Sequence, residues 1–101
     1  MGQKARPKPK RLAEKLRQVR LGLGLTQMDM PERLKAEIKP ARISDYELGV
    51  REPSLMILLS YARLAGVHME ALVDDELDLP NKLPGMVQHE SIKRQYRKAK
   101  R

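Results

Sequence analysis

The side chains best equipped for chemistry in this 101-residue chain are its 21 lysines and arginines, and what they offer is phosphate neutralisation. They are unevenly placed. Residues 1–24 carry a net charge of +7, residues 25–79 carry −5, and residues 80–101 carry +6. An acidic middle between two basic ends is the pattern of a folded unit with basic arms. Such arms seek polyanions, nucleic acid foremost, although solubility is a plainer role for them. The other reactive residue types exclude more than they suggest. With no cysteine in the chain, disulfides, thiolate metal sites and thiol nucleophiles are ruled out. His68 and His89 are 21 positions apart with no clustered carboxylates beside them, so no metal and no cofactor is expected, and His68 is read as a cap for the last helix. The run Asp74–Asp78 lacks the spacing of a calcium loop; it reads as a solvated helix end, or a patch that repels DNA from the wrong face. No nucleophile–base arrangement or Gly-rich phosphate loop is present, so the chain is not expected to be an enzyme. The longest apolar run, Leu55–Leu59, falls far short of the roughly 18 residues a membrane span needs, and the N-terminus lacks the apolar stretch of a signal peptide. These features are read as a cytoplasmic, nucleoid-associated protein with no membrane partner.

The elements that must position this chemistry are helices. Leu12, Leu16, Val19 and Leu23 form one apolar stripe from Arg11 onward, with Gly22 and Gly24 marking its end. A second helix is capped by Thr26, with Asp29 reciprocating, and turns Met30 and Leu34 inward. Pro31 conflicts with that start, so either the first turn is distorted or the helix begins nearer Asp29. After a turn over Lys35–Ile38, Pro40 opens a third helix running to about Leu48, with Ile43 and Tyr46 inward and Gly49 as its stop. Pro53-Ser54 starts a fourth helix whose stripe is Leu55, Leu58, Leu59, Ala62 and Ala65. A short fifth helix follows at Met69–Val73. Met28, Met30, Met56 and Met69 are read as core or near-core fillers in place of the absent Phe and Trp. The domain plan is a disordered basic arm (1–10), an all-α five-helix domain (11–79), and a linker with a basic tail (80–101). In the tail, Ile92, Tyr96 and Ala99 mark a marginal amphipathic helix.

The ordered marks Arg20, Leu25-Thr26-Gln27, Leu34, Ile43, Glu47-x-Gly49, Pro53-Ser54 and Gly66-Val67 carry a resemblance. Over about Leu12–Asp74 the chain resembles the XRE, phage-repressor-like (Cro-type) helix-turn-helix family. The resemblance implies a compact lambda-repressor-like five-helix domain whose third helix, Pro40–Leu48, lies in the major groove of DNA. It implies that Gln27 clamps a phosphate or orients a base-reading side chain, and that Pro40, Ala41, Ser44 and Asp45 face the groove. Lys39 and Arg42 match backbone-contacting positions, Arg51 matches positions near the backbone or minor groove, and Arg20 and Glu47 match a partly buried ion pair. The chain departs from the family in the turn: Gln27 to Ile43 is two residues longer than usual, and the turn glycine is missing. A longer loop can relax the need for a left-handed residue.

The groove-facing set is an unusual reading surface. Pro40 and Ala41 offer only apolar contact, suited to a thymine methyl; Asp45 can accept from cytosine N4; Ser44 discriminates poorly; and Arg42 reads guanine only if turned toward the base edges. The expected function is a sequence-specific, repressor-like transcriptional regulator with double-stranded DNA as its partner. One helix reads few base pairs, which leaves two arrangements open: a homodimer through the fifth helix with Leu77 and Leu79 or through the tail stripe, and a monomer that uses its basic arms as supplementary clamps. Two alternatives stand beside this reading. One is the antitoxin of a toxin–antitoxin pair that regulates its own promoter and binds a toxin partner. The other is an interaction or RNA-binding module with a vestigial helix-turn-helix.

Overall fold

A computed structural model describes residues 8–85. Five helices follow one another: α1 (Leu12–Gly22), α2 (Met30–Leu34), α3 (Pro40–Glu47), α4 (Leu55–Ala65) and α5 (Met69–Val73). Among the described residues there is no strand. The arm expected over residues 1–7 and the features expected over 86–101, including the tail stripe and His89, lie outside the described residues.

The α1 stripe is buried as its spacing requires: Leu12, Leu16, Val19 and, just past the helix, Leu23 all enter one cluster with Met30, Leu34, Ile43, Tyr46, Leu58 and Leu72. Burying a Leu or Val side chain contributes roughly 1.5–3 kcal/mol, so this cluster, rather than the helices' own propensities, holds the short helices in place. α2 and α5 have only five residues each and depend on it entirely.

The start of α2 settles the conflict around Pro31. Thr26 and Asp29 do cap each other: the Asp29 N–H donates to Thr26 Oγ1 (3.2 Å) and the Thr26 N–H to Asp29 Oδ2 (2.9 Å). Regular helix nevertheless begins only at Met30, with Asp29 at the N-cap and Pro31 at the second position. There proline's missing N–H has no carbonyl to leave unpaired. The longer turn does not remove the need for a left-handed residue. Lys35 takes that conformation (φ 55°, ψ 43°) at the end of α2, at roughly 1–2 kcal/mol for a residue with a Cβ.

Several expected core assignments are corrected. In α4 the inward stripe is Leu58, Tyr61, Ala62 and Ala65, with Tyr61 fully buried, while Leu55 is 69% exposed. Leu55 occupies the first helical position, beyond the reach of a neighbouring element. Met30 is buried, but Met28 and Met56 are exposed. His68 stands at the N-cap of α5 without making a side-chain cap bond. Leu83, in the stretch read as a linker, is buried in the core. It packs on Gly22, where a Cβ would come within 3.0 Å of Leu83 Cδ1.

Candidate nucleic-acid interface

α3 begins where Lys39, extended at φ −85° and ψ 153°, hands over to Pro40 at the first helical position. Proline fixes φ for the helix and has no N–H to leave unpaired at that point. Ile43 and Tyr46 anchor the inner face, at 0% and 4% exposure. The opposite face is therefore presented outward. Ala41, Asp45 and Leu48 recur at spacings of four and three, with Ser44 on the same side. Pro40 and Ala41 are exposed, Ser44 and Asp45 are half-buried, and Leu48, at the C-cap, is exposed. Arg42 is half-buried and lies about 100° around the helix from Ala41. Lys39 is exposed at the helix entry.

Asp45 is not a free carboxylate. Arg51 Nε lies 3.7 Å from Asp45 Oδ2, with both side chains partly in solvent. The loop after α3 folds back to make this contact, and the N–H groups of Val50 and Arg51 donate to the Asp45 carbonyl at 3.0 and 3.3 Å. This guanidinium offsets the repulsion a carboxylate would meet near phosphates. Arg51 also borders a cleft of about 240 Å³ whose opposite wall is Lys8, Pro9 and Lys10. The root of the N-terminal arm thus runs alongside the loop that leaves α3. The cleft carries Lys8, Lys10 and Arg51 with Glu52 as its single acid.

A polar lock behind α3 fixes its far end. Arg20 Nε donates to Glu47 Oε2 at 2.7 Å and Arg20 Nη2 to Glu47 Oε1 at 2.9 Å, a two-pronged pair between α1 and the last residue of α3. The side chains are 13% and 4% exposed. Arg20 Nη1 also donates to the Leu25 carbonyl at 3.1 Å, so the same guanidinium ties the chain just before the α2 turn. Its bond to Glu47 raises the Arg20 pKa further, which keeps the guanidinium charged. Gln27 joins the lock: its Nε2 donates to Glu47 Oε1 at 3.3 Å. Its second Nε2 hydrogen and its amide oxygen are left to meet an incoming group. Beside the pair, burial pushes the Tyr61 hydroxyl pKa strongly up, with Glu47 adding to the effect. Among the described residues that hydroxyl has no hydrogen-bond partner.

The structure brings together Arg20, Gln27 and Glu47, and separately Asp45 and Arg51. It leaves Lys39, Pro40 and Ala41 outward without joining them to either group. Sequence reasoning missed a third polar cluster, at the start of α1. Lys15 is 1% exposed, and its Nζ donates to the Asp74 carbonyl at 2.7 Å. Asp75 accepts the Lys10 and Arg11 N–H groups at 2.9 and 3.0 Å, supplying from another loop the cap that α1 lacks in its own sequence. The Arg11 guanidinium donates to the Asp75 carbonyl at 2.7 Å and pairs with Asp78. The acidic run is therefore a docking point for the arm's root rather than only a solvated helix end. One signal for Lys15 was present: it stands three residues after Leu12 and four before Val19, on the buried stripe.

Among the described residues no three His, Cys, Asp or Glu side chains gather as metal ligands would, and no helix is long and apolar enough to cross a membrane. A protein-family model described as Helix-turn-helix matches residues 16–72, more than half of the chain. Neither the curated proteins nor the solved structures contain a match.

Proposed function

The chain belongs to the helix-turn-helix family, of the XRE, Cro-like type, and from that membership we propose that it is a repressor-like regulator reading duplex DNA with the outward face of α3. Members of this family bind DNA and regulate transcription. The carrying observation is that α3 is held from behind along its middle and at its C-terminal end, while its opposite face stays clear. Ile43 and Tyr46 are buried, Glu47 is held by Arg20 and Gln27, and Pro40 and Ala41 are exposed. In the family's docking geometry the first residues of such a helix meet base edges. Pro40 and Ala41 would meet thymine methyls, and Ser44 would form a permissive hydrogen bond. Asp45 would accept from cytosine N4 when Arg51 releases it. Lys39, Arg42 and Arg51, the second Nε2 hydrogen of Gln27 and the basic N-terminal arm would contact phosphates. These contacts supply affinity and orientation rather than sequence choice. A second copy is the proposed partner on DNA, because a single such helix reads only a few base pairs.

Selection of bound sequences from random duplexes tests this reading. The wild-type chain should yield a defined motif. Replacing Ser44→Ala and Asp45→Ala should change the preferred bases, with roughly 1–3 kcal/mol of discrimination lost per base contact, and leave the fold intact. An identical motif from the double variant would remove α3 from the reading role. Binding to random RNA as tight as to any duplex would replace the DNA reading with an RNA-binding one.

A further inference from the structure

The side of the molecule formed by α5 and the segment after it carries a groove that the DNA reading does not use. It encloses about 440 Å³ and is walled by Gly66, Val67, His68, Ala71, Leu77 and Pro80, with Glu70 on its edge. Its lining is mostly apolar. Leu77 is 41% exposed at its wall and is flanked in sequence by the acids Glu76 and Asp78. An apolar trough with Glu70 in its lining and Glu76 and Asp78 next to Leu77 in sequence suits a partner that is apolar on one face and basic on the other.

The chain carries such a segment. Residues 86–101 hold Ile92, Tyr96 and Ala99 at spacings of four and three, surrounded by Lys93, Arg94, Arg97, Lys98, Lys100 and Arg101. The described chain also ends at the right place. Gly85 lies against the end of α4, so close that a Cβ on Gly66 would sit 2.7 Å from the Gly85 nitrogen, and Gly66 is itself part of the groove wall. Ile92 is seven residues further on, about 10 Å away if helical and about 24 Å if extended. Either reach spans a trough of this size. We propose that this groove is the docking site for the chain's own C-terminal segment, with Ile92 and Tyr96 against Val67, Ala71 and Leu77, and the tail's cations facing Glu70 and Glu76. Asp75 and Asp78 are already bound by Lys10 and Arg11 and Asp74 Oδ1 accepts the Glu76 N–H, so Glu70 in the groove lining and the exposed Glu76 beside Leu77 are the acids to which the tail's charges correspond.

The chain has no cysteine, which makes a single spin label straightforward. With Ser91→Cys carrying a nitroxide in the full-length protein, the amides of Ala71 and Leu77 should be broadened several-fold more than those of α3. Adding Ile92→Asp and Tyr96→Asp to the same labelled chain should abolish that excess, and raising salt should reduce it. Labelled chain mixed with isotopically enriched, unlabelled chain should show no broadening. Three results overturn the proposal: no excess at Ala71 and Leu77, an excess that survives both Asp substitutions, or broadening in the mixed sample, which would make the occupant a second copy. DNA binding does not enter the readout, so failure here leaves the function of α3 untouched.

Discussion

Helix α1 is tied at both ends by cations, and the two ties are built differently. At its C-terminal end Arg20 meets the Glu47 carboxylate side chain to side chain, with both groups largely out of water. At its N-terminal end Lys15 and Arg11 bind mostly backbone carbonyls of residues 74–77, and the one carboxylate that Arg11 pairs with, Asp78, is exposed. The first tie joins the end of α3 to the scaffold and so sets the angle of the proposed reading helix. The second joins the root of the basic arm to the acidic loop and so sets where that arm leaves the domain. A buried pair contributes little net stability but is expensive to break from one side, whereas an exposed one is screened by salt and water. One tie should therefore be all-or-none, and the other graded.

The largest effect should come from the inner tie. Arg20→Ala and Glu47→Ala should each cost roughly 3–5 kcal/mol in urea denaturation, because each strands a desolvated charge. The double variant should lose clearly less than the sum. A coupling energy near zero would make the two ties alike and end the comparison.

Next in size is Lys15→Met, which keeps the packing but removes the donor to the Asp74 carbonyl. The expected loss is about 1–3 kcal/mol, the cost of leaving a part-buried acceptor without its charged donor. A loss as large as that of Glu47→Ala would mean that Lys15 is held as a buried ion pair with the acidic loop.

Smaller and more local is the effect of pH at the outer tie. The Lys10 and Arg11 N–H groups hold the Asp75 carboxyl below its usual 3.8, and Arg11 does the same for Asp78. A carboxyl depressed in the folded state stabilises fully above its unfolded value, and this contribution disappears as pH falls through the lower folded value. The cap on α1 should thus be intact above about pH 4 and loosen below it. Amide shifts of Lys10 and Arg11 should titrate together below 3.8 and lose that titration in Asp75→Asn. A midpoint at or above 3.8 would show that the bonds do not form in solution.

The smallest effect is expected at Tyr61, beside the inner tie. Its hydroxyl is buried without a partner among the described residues, so Tyr61→Phe should be neutral or stabilising by up to about 1 kcal/mol in thermal denaturation. A substantial loss would reveal a bond to the hydroxyl and enlarge the inner network.

The same contrast explains what the sequence could disclose. Arg20 and Glu47 are recognisable because two opposite charges occupy matching family positions. The stripe of Leu12, Leu16 and Val19 and the opening of α3 at Pro40 are legible for an equally local reason, since period and punctuation lie within a few residues. Lys15 and Arg11 escape notice because a backbone carbonyl has no residue type to announce it. Tyr61 displaced Leu55 from the core because the edge of an apolar stripe depends on what packs against it. Leu83 stood alone among polar neighbours with no period to reveal it. Within the site, Pro40, Ala41, Ser44 and Asp45 were placed by resemblance, but the contact between Asp45 and Arg51 needed the fold of the loop between them.

The central claim is that the outward face of α3 is the surface that meets DNA. Titrating the isotopically enriched chain with a duplex from the selected pool, and following backbone amides, tests it directly. The amides of Ala41, Arg42, Ser44, Asp45 and Arg51 should show the largest perturbations and saturate together at one affinity. Saturable binding of the duplex with these amides unmoved would contradict the account.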